Sequence, residues 1–201
     1  MKTQKTISAR AATAAMMISA LIMITACGTK RDGSNSDKGQ SPEPQETVTP
    51  PAMDIHTATV LGDQEAIQQH IAAGSDLNER EPTMGSSPLI SAAVFGKTEV
   101  ARLLIEAGAD VNLQNKEGST ALHPAAFLCR TEIVKMLLDN GADRELLNIY
   151  GSTALASVAG PFSDVKPIYD QFSKDLGPFG FKLDYAHLES ERPVIAALLQ
   201  Q

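Results

Sequence analysis

From residue 53 onward, apolar positions recur in short blocks separated by polar turns rich in Gly, Asp and Asn. Leu104-Ile105 and Leu137-Leu138, with Val100 and Ile133 one turn earlier, lay an apolar stripe along one helix face. Ahead of each stripe stand Ala92-Ala93 and Ala125-Ala126, small enough for neighbouring helices to approach closely. Pro88, one residue before Leu89, sits where a helix start tolerates proline. Thr120 and Thr153 place a hydroxyl where it can cap the first amides of a helix. Gly108 and Gly141 follow the apolar stripes, where a left-handed residue ends a helix, and the Asp and Asn residues after them suit an outward turn. The pattern predicts pairs of short helices joined by projecting turns.

The pairs repeat. "GSSPL" begins at Gly85 and "GSTAL" at Gly118 and Gly151, a spacing of 33 residues twice over. A second marker, out of phase with the first, holds Gly74, Gly108 and Gly141 at spacings of 34 and 33. A period of 33 with a Thr-Pro-Leu-His-like opening and a Gly-Ala-Asp close resembles the ankyrin repeat, and "LLIEAGADVNLQNKEGSTALHPAAF" is a close match to that family. The resemblance implies an all-α fold, an ankyrin-repeat solenoid of about four helix-turn-helix units with an irregular C-terminal cap. The units fall at about 54–81, 82–114, 115–147 and 148–172, with the cap at 173–201. The first unit lacks Thr-Pro and carries His70 where the others have leucine, as terminal repeats often depart from pattern. The third has Cys129 in place of glycine. The fourth holds Pro161 and Pro167 in or beside helical positions, which predicts a bent or split unit. Pro193, followed by Val194, Ile195, Leu198 and Leu199, predicts a last amphipathic helix.

The opposite end reads differently. Lys2, Lys5 and Arg10 precede Ala11 to Ile24, 14 almost wholly apolar residues that span about 21 Å as helix, short of a bilayer core of roughly 30 Å. A basic head, a short apolar body and a small-residue exit predict a signal peptide over 1–26. Ile24-Thr25-Ala26-Cys27 resembles the bacterial lipobox. That resemblance implies cleavage before Cys27 and lipidation of its thiol, with acyl chains as the membrane anchor, each buried CH₂ adding about 0.8 kcal/mol. Residues 27–52 are dominated by Gly, Ser, Asp, Lys and Pro and predict a disordered tether with a reach on the order of 25–30 Å. Gly28 follows the cysteine where aspartate would resemble an inner-membrane retention signal. The expected place is therefore the outer membrane, facing the periplasm.

Charge narrows the partners. The first 26 residues carry three cations and no acid, so without them the net charge falls from −7 to −10. Phosphates would be repelled, which argues against nucleic acid and favours a basic protein. No Cys or His pair has metal-site spacing and no nucleophile elbow or phosphate loop occurs in the sequence, so neither enzyme, cofactor nor small-molecule substrate is expected. His56 and His123 occupy the histidine slot of the repeat, where the ring bonds to backbone. Cys129, the one thiol besides the anchor, is expected to be buried.

In ankyrin repeats the two residues after Ala-Ala lie toward the concave surface and vary with the partner. Here they are Val60-Leu61, Val94-Phe95, Phe127-Leu128 and Gly160-Pro161, so three successive units offer apolar pairs. Two readings stand open: packing against the next unit, or a contiguous apolar groove for a partner. The turn tips add Met84, Ile149 and Tyr150, rimmed by Glu79, Arg80, Glu81, Lys116 and Glu117. The candidate partner-binding set is Val60, Leu61, Met84, Val94, Phe95, Lys116, Glu117, Phe127, Leu128 and Tyr150. Seven of nine aromatic residues follow residue 149: Tyr150, Phe162, Tyr169, Phe172, Phe179, Phe181 and Tyr185. They either fill the core where the repeat fails or, around "LGPFGF", form a loop that inserts into a partner. The resemblance to ankyrin-repeat lipoproteins implies an immunity protein that neutralises a periplasmic toxin, often a phospholipase. The alternative is a scaffold or chaperone-like partner of a resident periplasmic enzyme, such as one in oxidative-stress defence. Cys27→Ser is expected to abolish labelling by a fatty acid in fractionated cells, and label retained on the variant would refute the anchor.

Overall fold

A computed structural model describes residues 49–179 and 181–201. The signal peptide, Cys27 and the tether as far as residue 48 lie outside the described residues. Eight α-helices follow in order: α1 (Ile55–Leu61), α2 (Gln64–Ala72), α3 (Pro88–Phe95), α4 (Thr98–Glu106), α5 (Leu122–Phe127), α6 (Thr131–Asp139), α7 (Phe162–Leu176) and α8 (Tyr185–Leu199). Two 3-10 turns, Leu155–Ser157 and Gly177–Phe179, separate the later ones. The fold is all-α. The first members of the pairs, α1, α3 and α5, stack in one row, and α2, α4 and α6 in a second.

Several of the sequence markers act as expected. Ala92, Ala93, Ala125 and Ala126 are fully enclosed where inner helices meet, and Val100, Leu104, Ile133 and Leu137 fill the space between the two rows. Helix α3 starts at Pro88 with the Ser87 hydroxyl accepting from the Ile90 amide, 3.3 Å away. Gly108 and Gly141 are left-handed, at φ 89° and 82°.

The Asp-x-Asn element has a double task. Asp76, Asp110 and Asp143 each accept from the amide two residues ahead, closing their own turn. Asn78 and Asn112 then accept from the amides of Asp110 and Asp143, one repeat onward, at 2.9 and 2.8 Å. Side chains therefore bind successive repeats together along the turns. At the tips the bond is backbone to backbone: the Lys116 amide donates to the Met84 carbonyl and the Ile149 amide to that of Glu117, both 2.9 Å.

Three departures matter. Helix α5 has no Thr120 side-chain cap; instead the His123 Nδ1 accepts from the Thr120 amide at 3.2 Å and its Nε2 faces the Ser152 carbonyl at the same distance. Burial holds the pKa of this ring below its ordinary value. His56, expected to bond to backbone, has both ring nitrogens buried with no partner among the described residues. His70, at the atypical leucine position, bridges the Ser75 hydroxyl and the Met53 carbonyl at 3.0 and 2.8 Å, closing the open end of the stack.

The fourth unit keeps its projecting turn and then shrinks to the 3-10 turn at Leu155. Thr153 caps that turn through the Ala156 amide at 3.3 Å. Pro161 then marks the split, because α7 begins immediately after it. Pro167 lies inside the continuous helix α7 and Pro193 inside α8, which starts at Tyr185 rather than at Pro193 and is capped by Asp184. Both prolines are exposed. Together α7 and α8 form an arm that closes the C-terminal end, α8 packing on α5, α6 and the 3-10 turn.

Leu104→Ala and Leu137→Ala are each expected to lower unfolding free energy by about 2–5 kcal/mol in denaturant titration. A change below about 1 kcal/mol at both sites would contradict the packing between rows.

Candidate protein-binding surface

The candidate residues separate into two groups. Phe127 and Leu128 are buried, and Val94 and Phe95 are half-buried. Their cover comes from the same chain. The Tyr169 ring stacks on Phe127 with centroids 4.6 Å apart, Phe172 lies 5.6 Å from Phe127, and Phe181 joins Phe172 to Phe95 at 6.4 Å each. Phe162 extends the series to Tyr169 at 5.8 Å and Tyr185 at 6.4 Å. The Tyr169 hydroxyl donates to the Phe127 carbonyl at 2.5 Å.

The expected contiguous groove is thus corrected. Over α3 and α5 it is covered by the arm, whose buried Tyr169, Phe172 and Phe181 pack against buried Phe127 and half-buried Phe95. The expected loop around Leu176–Phe181 is turned inward at both ends, with Leu176 and Phe181 buried. Arg130 supports this closure. Its guanidinium lies 6.0 Å from the Phe181 ring and so close to Gly96 that a Cβ there would come within 2.8 Å of it. Gly96 also takes a left-handed φ of 63°, which disfavours a side chain there, and one would have to displace the Arg130 guanidinium.

The second group stays at the surface. Val60 is half-buried and Leu61 is 62% exposed at the free end of the inner row. Along the projecting tips stand half-buried Met84 and Tyr150, exposed Lys116, and the apolar Leu147 and Ile149, exposed to 53% and 65%. Ile149 is one of the turn tips expected from the sequence, whereas Leu147 is not. Their signal was legible, since "LLNIY" puts four large apolar residues into a turn that needs none.

Glu117 departs most from expectation. The sequence places it on a polar rim, yet it is only 8% exposed and its Oε2 has no hydrogen-bond partner among the described residues. Burial raises its carboxyl pKa, and it raises that of Tyr150, to which the Glu117 charge adds. Lys116, its neighbour, is committed elsewhere, donating to the Pro82 and Thr83 carbonyls at 2.6 and 2.9 Å. The tip row therefore presents apolar side chains beside a largely enclosed Glu117 carboxyl that forms no ion pair among the described residues.

Among the described residues no group of three or more His, Cys, Asp or Glu is arranged to hold a metal. No described helix is long and apolar enough to cross a membrane. Cys129 is buried in a left-handed conformation at φ 52°, with Sγ 3.6 Å from the Leu188 carbonyl, and burial pushes its pKa to about 11. Such a thiol is a packing group, not a nucleophile.

A family model for ankyrin repeats, in three copies, matches residues 55–156. The chain belongs to the ankyrin-repeat family, and its repeats form a protein-binding module of a kind that is generally non-catalytic. Similar proteins include inversin of Gallus gallus, 33% identical over 69 residues, 34% of this chain and 6% of that protein. Protein PhlB of Serratia liquefaciens is 40% identical over 66 residues, 33% of this chain and 29% of that protein. Among solved structures, the ankyrin repeat domain of Bcl-3 aligns at a TM-score of 0.50 and 32% identity, covering 58% of this chain and 50% of that one. The match thus spans well under two thirds of the length of these relatives, and the likeness is one of repeats.

Because Phe127 is enclosed by Tyr169 and Phe172, Phe127→Ala is expected to destabilise folding by about 3–5 kcal/mol. Unchanged thermal melting of that variant would place the arm off the repeats and reopen the groove.

Proposed function

We propose that this chain is an immunity protein: a lipid-anchored ankyrin module, facing the periplasm of a bacterial cell, that binds and neutralises a toxin acting there. A phospholipase is the effector that best suits an inhibitor held beside the membrane by acyl chains on Cys27. The lipobox-like Ile24–Cys27 and the polar tether supply the anchor and the reach. The repeats supply a stiff display surface. The observation that carries the reading is the tip row, where exposed Leu147 and Ile149 accompany the unpartnered Glu117 carboxylate.

Such a row suits a basic side chain set among apolar neighbours, the core-and-rim arrangement of protein interfaces. Without the first 26 residues the chain's net charge of −10 would steer a basic toxin toward it. Val60 and Leu61 at the free end of the stack extend the surface. Arm and tips divide the work: the arm closes the concave face over α3 and α5, and recognition falls to the turns and the first unit.

The test is growth of cells that express the neighbouring gene's product in the periplasm, with and without this chain. Protection by the native chain is expected, and no protection together with no binding in calorimetry would refute the reading. Ile149→Asp is expected to leave melting unchanged while weakening binding by about 2 kcal/mol or more. Added salt is expected to weaken it further, as screening shortens to about 10 Å at 0.1 M.

A further inference from the structure

At the far side of the arm, Arg192 of α8 is only 3% exposed. Its Nη1 donates to the Tyr169 hydroxyl at 3.1 Å and its Nη2 to the Gly160 carbonyl at 3.0 Å. Both acceptors are neutral: burial pushes the Tyr169 phenol up to about 12, so it keeps its proton. The thiol of Cys129, whose charge would be felt by Arg192, is held protonated as well. Nearby Glu191 is engaged by the Thr131 hydroxyl at 2.7 Å. Among the described residues the only ion pairs are Arg102–Glu99 and Lys166–Asp170. A buried guanidinium thus stands with no carboxylate against it, a state that is costly unless an anion completes it.

The space for one is adjacent. Arg192 lines a cleft of about 420 Å³ between the turn at Val158–Phe162 and helix α8, within the size range of small-ligand sites. Val158, Phe162, Ala196 and Pro193 give it apolar walls, and Glu189 stands among the lining residues. A guanidinium has five N–H donors in a planar fork, and the structure gives acceptors to two groups of it.

We propose that this cleft is a binding site for a carboxylate carried on an apolar stem, received by the free edge of the Arg192 fork. A monoanion meets the single buried charge. Exposed Glu189 in the same lining opposes any anion, so one negative charge is the most the cleft receives, and a phosphate dianion finds no second cation. The site is separate from the tip row and does not depend on the immunity reading.

The probe is hexanoate, with hexanamide as the neutral twin, followed by amide ¹H–¹⁵N shifts on the folded protein. Saturable shifts at Val158, Gly160 and Ala196 are expected with hexanoate, and binding of hexanamide weaker by about tenfold or more, as for loss of a charge-assisted bond. Arg192→Gln is expected to abolish the difference between the two. Ala197→Phe, at an exposed lining position, is expected to fill the cleft and abolish hexanoate binding while the fold persists, so the test stands even where Arg192→Gln fails to fold. Two capped apolar peptides, one ending in a free carboxylate and one amidated with an internal glutamate, distinguish a chain terminus from an acidic side chain as the natural source. Equal shifts with both probes, none with hexanoate, or shifts that survive Ala197→Phe would overturn the proposal.

Discussion

A pair of helices six to nine residues long cannot hide its apolar faces alone, and the rest of this molecule follows from that constraint. Each pair is completed only by the pair beside it. Enclosed Ala92, Ala93, Ala125 and Ala126 let the inner helices close to contact distance, and Leu104 and Leu137 seal the gap to the outer row. The same dependence makes the two ends of the stack a problem. At the start, His70 ties down Met53. At the other end a fourth helix pair would serve, but Pro161 stops it, and α7 and α8 take its place.

That substitution decides which surfaces are available. An ankyrin stack usually leaves its concave face free, whereas here Tyr169, Phe172 and Phe181 occupy it over Phe127 and Phe95. The aromatic residues of the tail and the apolar pairs of the repeats are thus two halves of one core. What remains for another molecule is the row of tips, the free edge at Leu61 and the cleft at Arg192. The first is apolar beside an enclosed acid, and the second is apolar with the Lys97 ammonium bonded to the Leu61 carbonyl. The third is apolar around an unneutralised base. Both enclosed charges sit where burial makes a missing counter-charge expensive.

Rigidity comes from the turns as much as from the helices. Asn78 and Asn112 reach across to the next repeat, and the tip amides of Lys116 and Ile149 continue the linkage. A partner meeting the tip row would therefore find it already ordered, which spares the ordering entropy that a flexible loop would lose on binding.

The amino-acid sequence by itself determined the repeat and the chemistry of most markers within it, though not the missing Thr120 cap or the unpartnered His56 ring. Pro88, the Ala pairs, Gly108, Gly141 and the Asp-x-Asn turns are legible because each acts over a few residues or between equivalent positions 33 apart. It did not determine the fate of Phe127 or Glu117. Both look like surface residues when the repeat is read alone. Phe127 is covered by Tyr169, 42 residues later and outside the repeat, and no period links the two. Glu117 is enclosed where the next tip bonds to it through the Ile149 amide, which depends on how closely the repeats stack. Arg192 reads as one more charge on an amphipathic helix until the arm folds back and shuts it in. Contacts of this kind join segments that share no local signal, and only the tertiary structure could decide them.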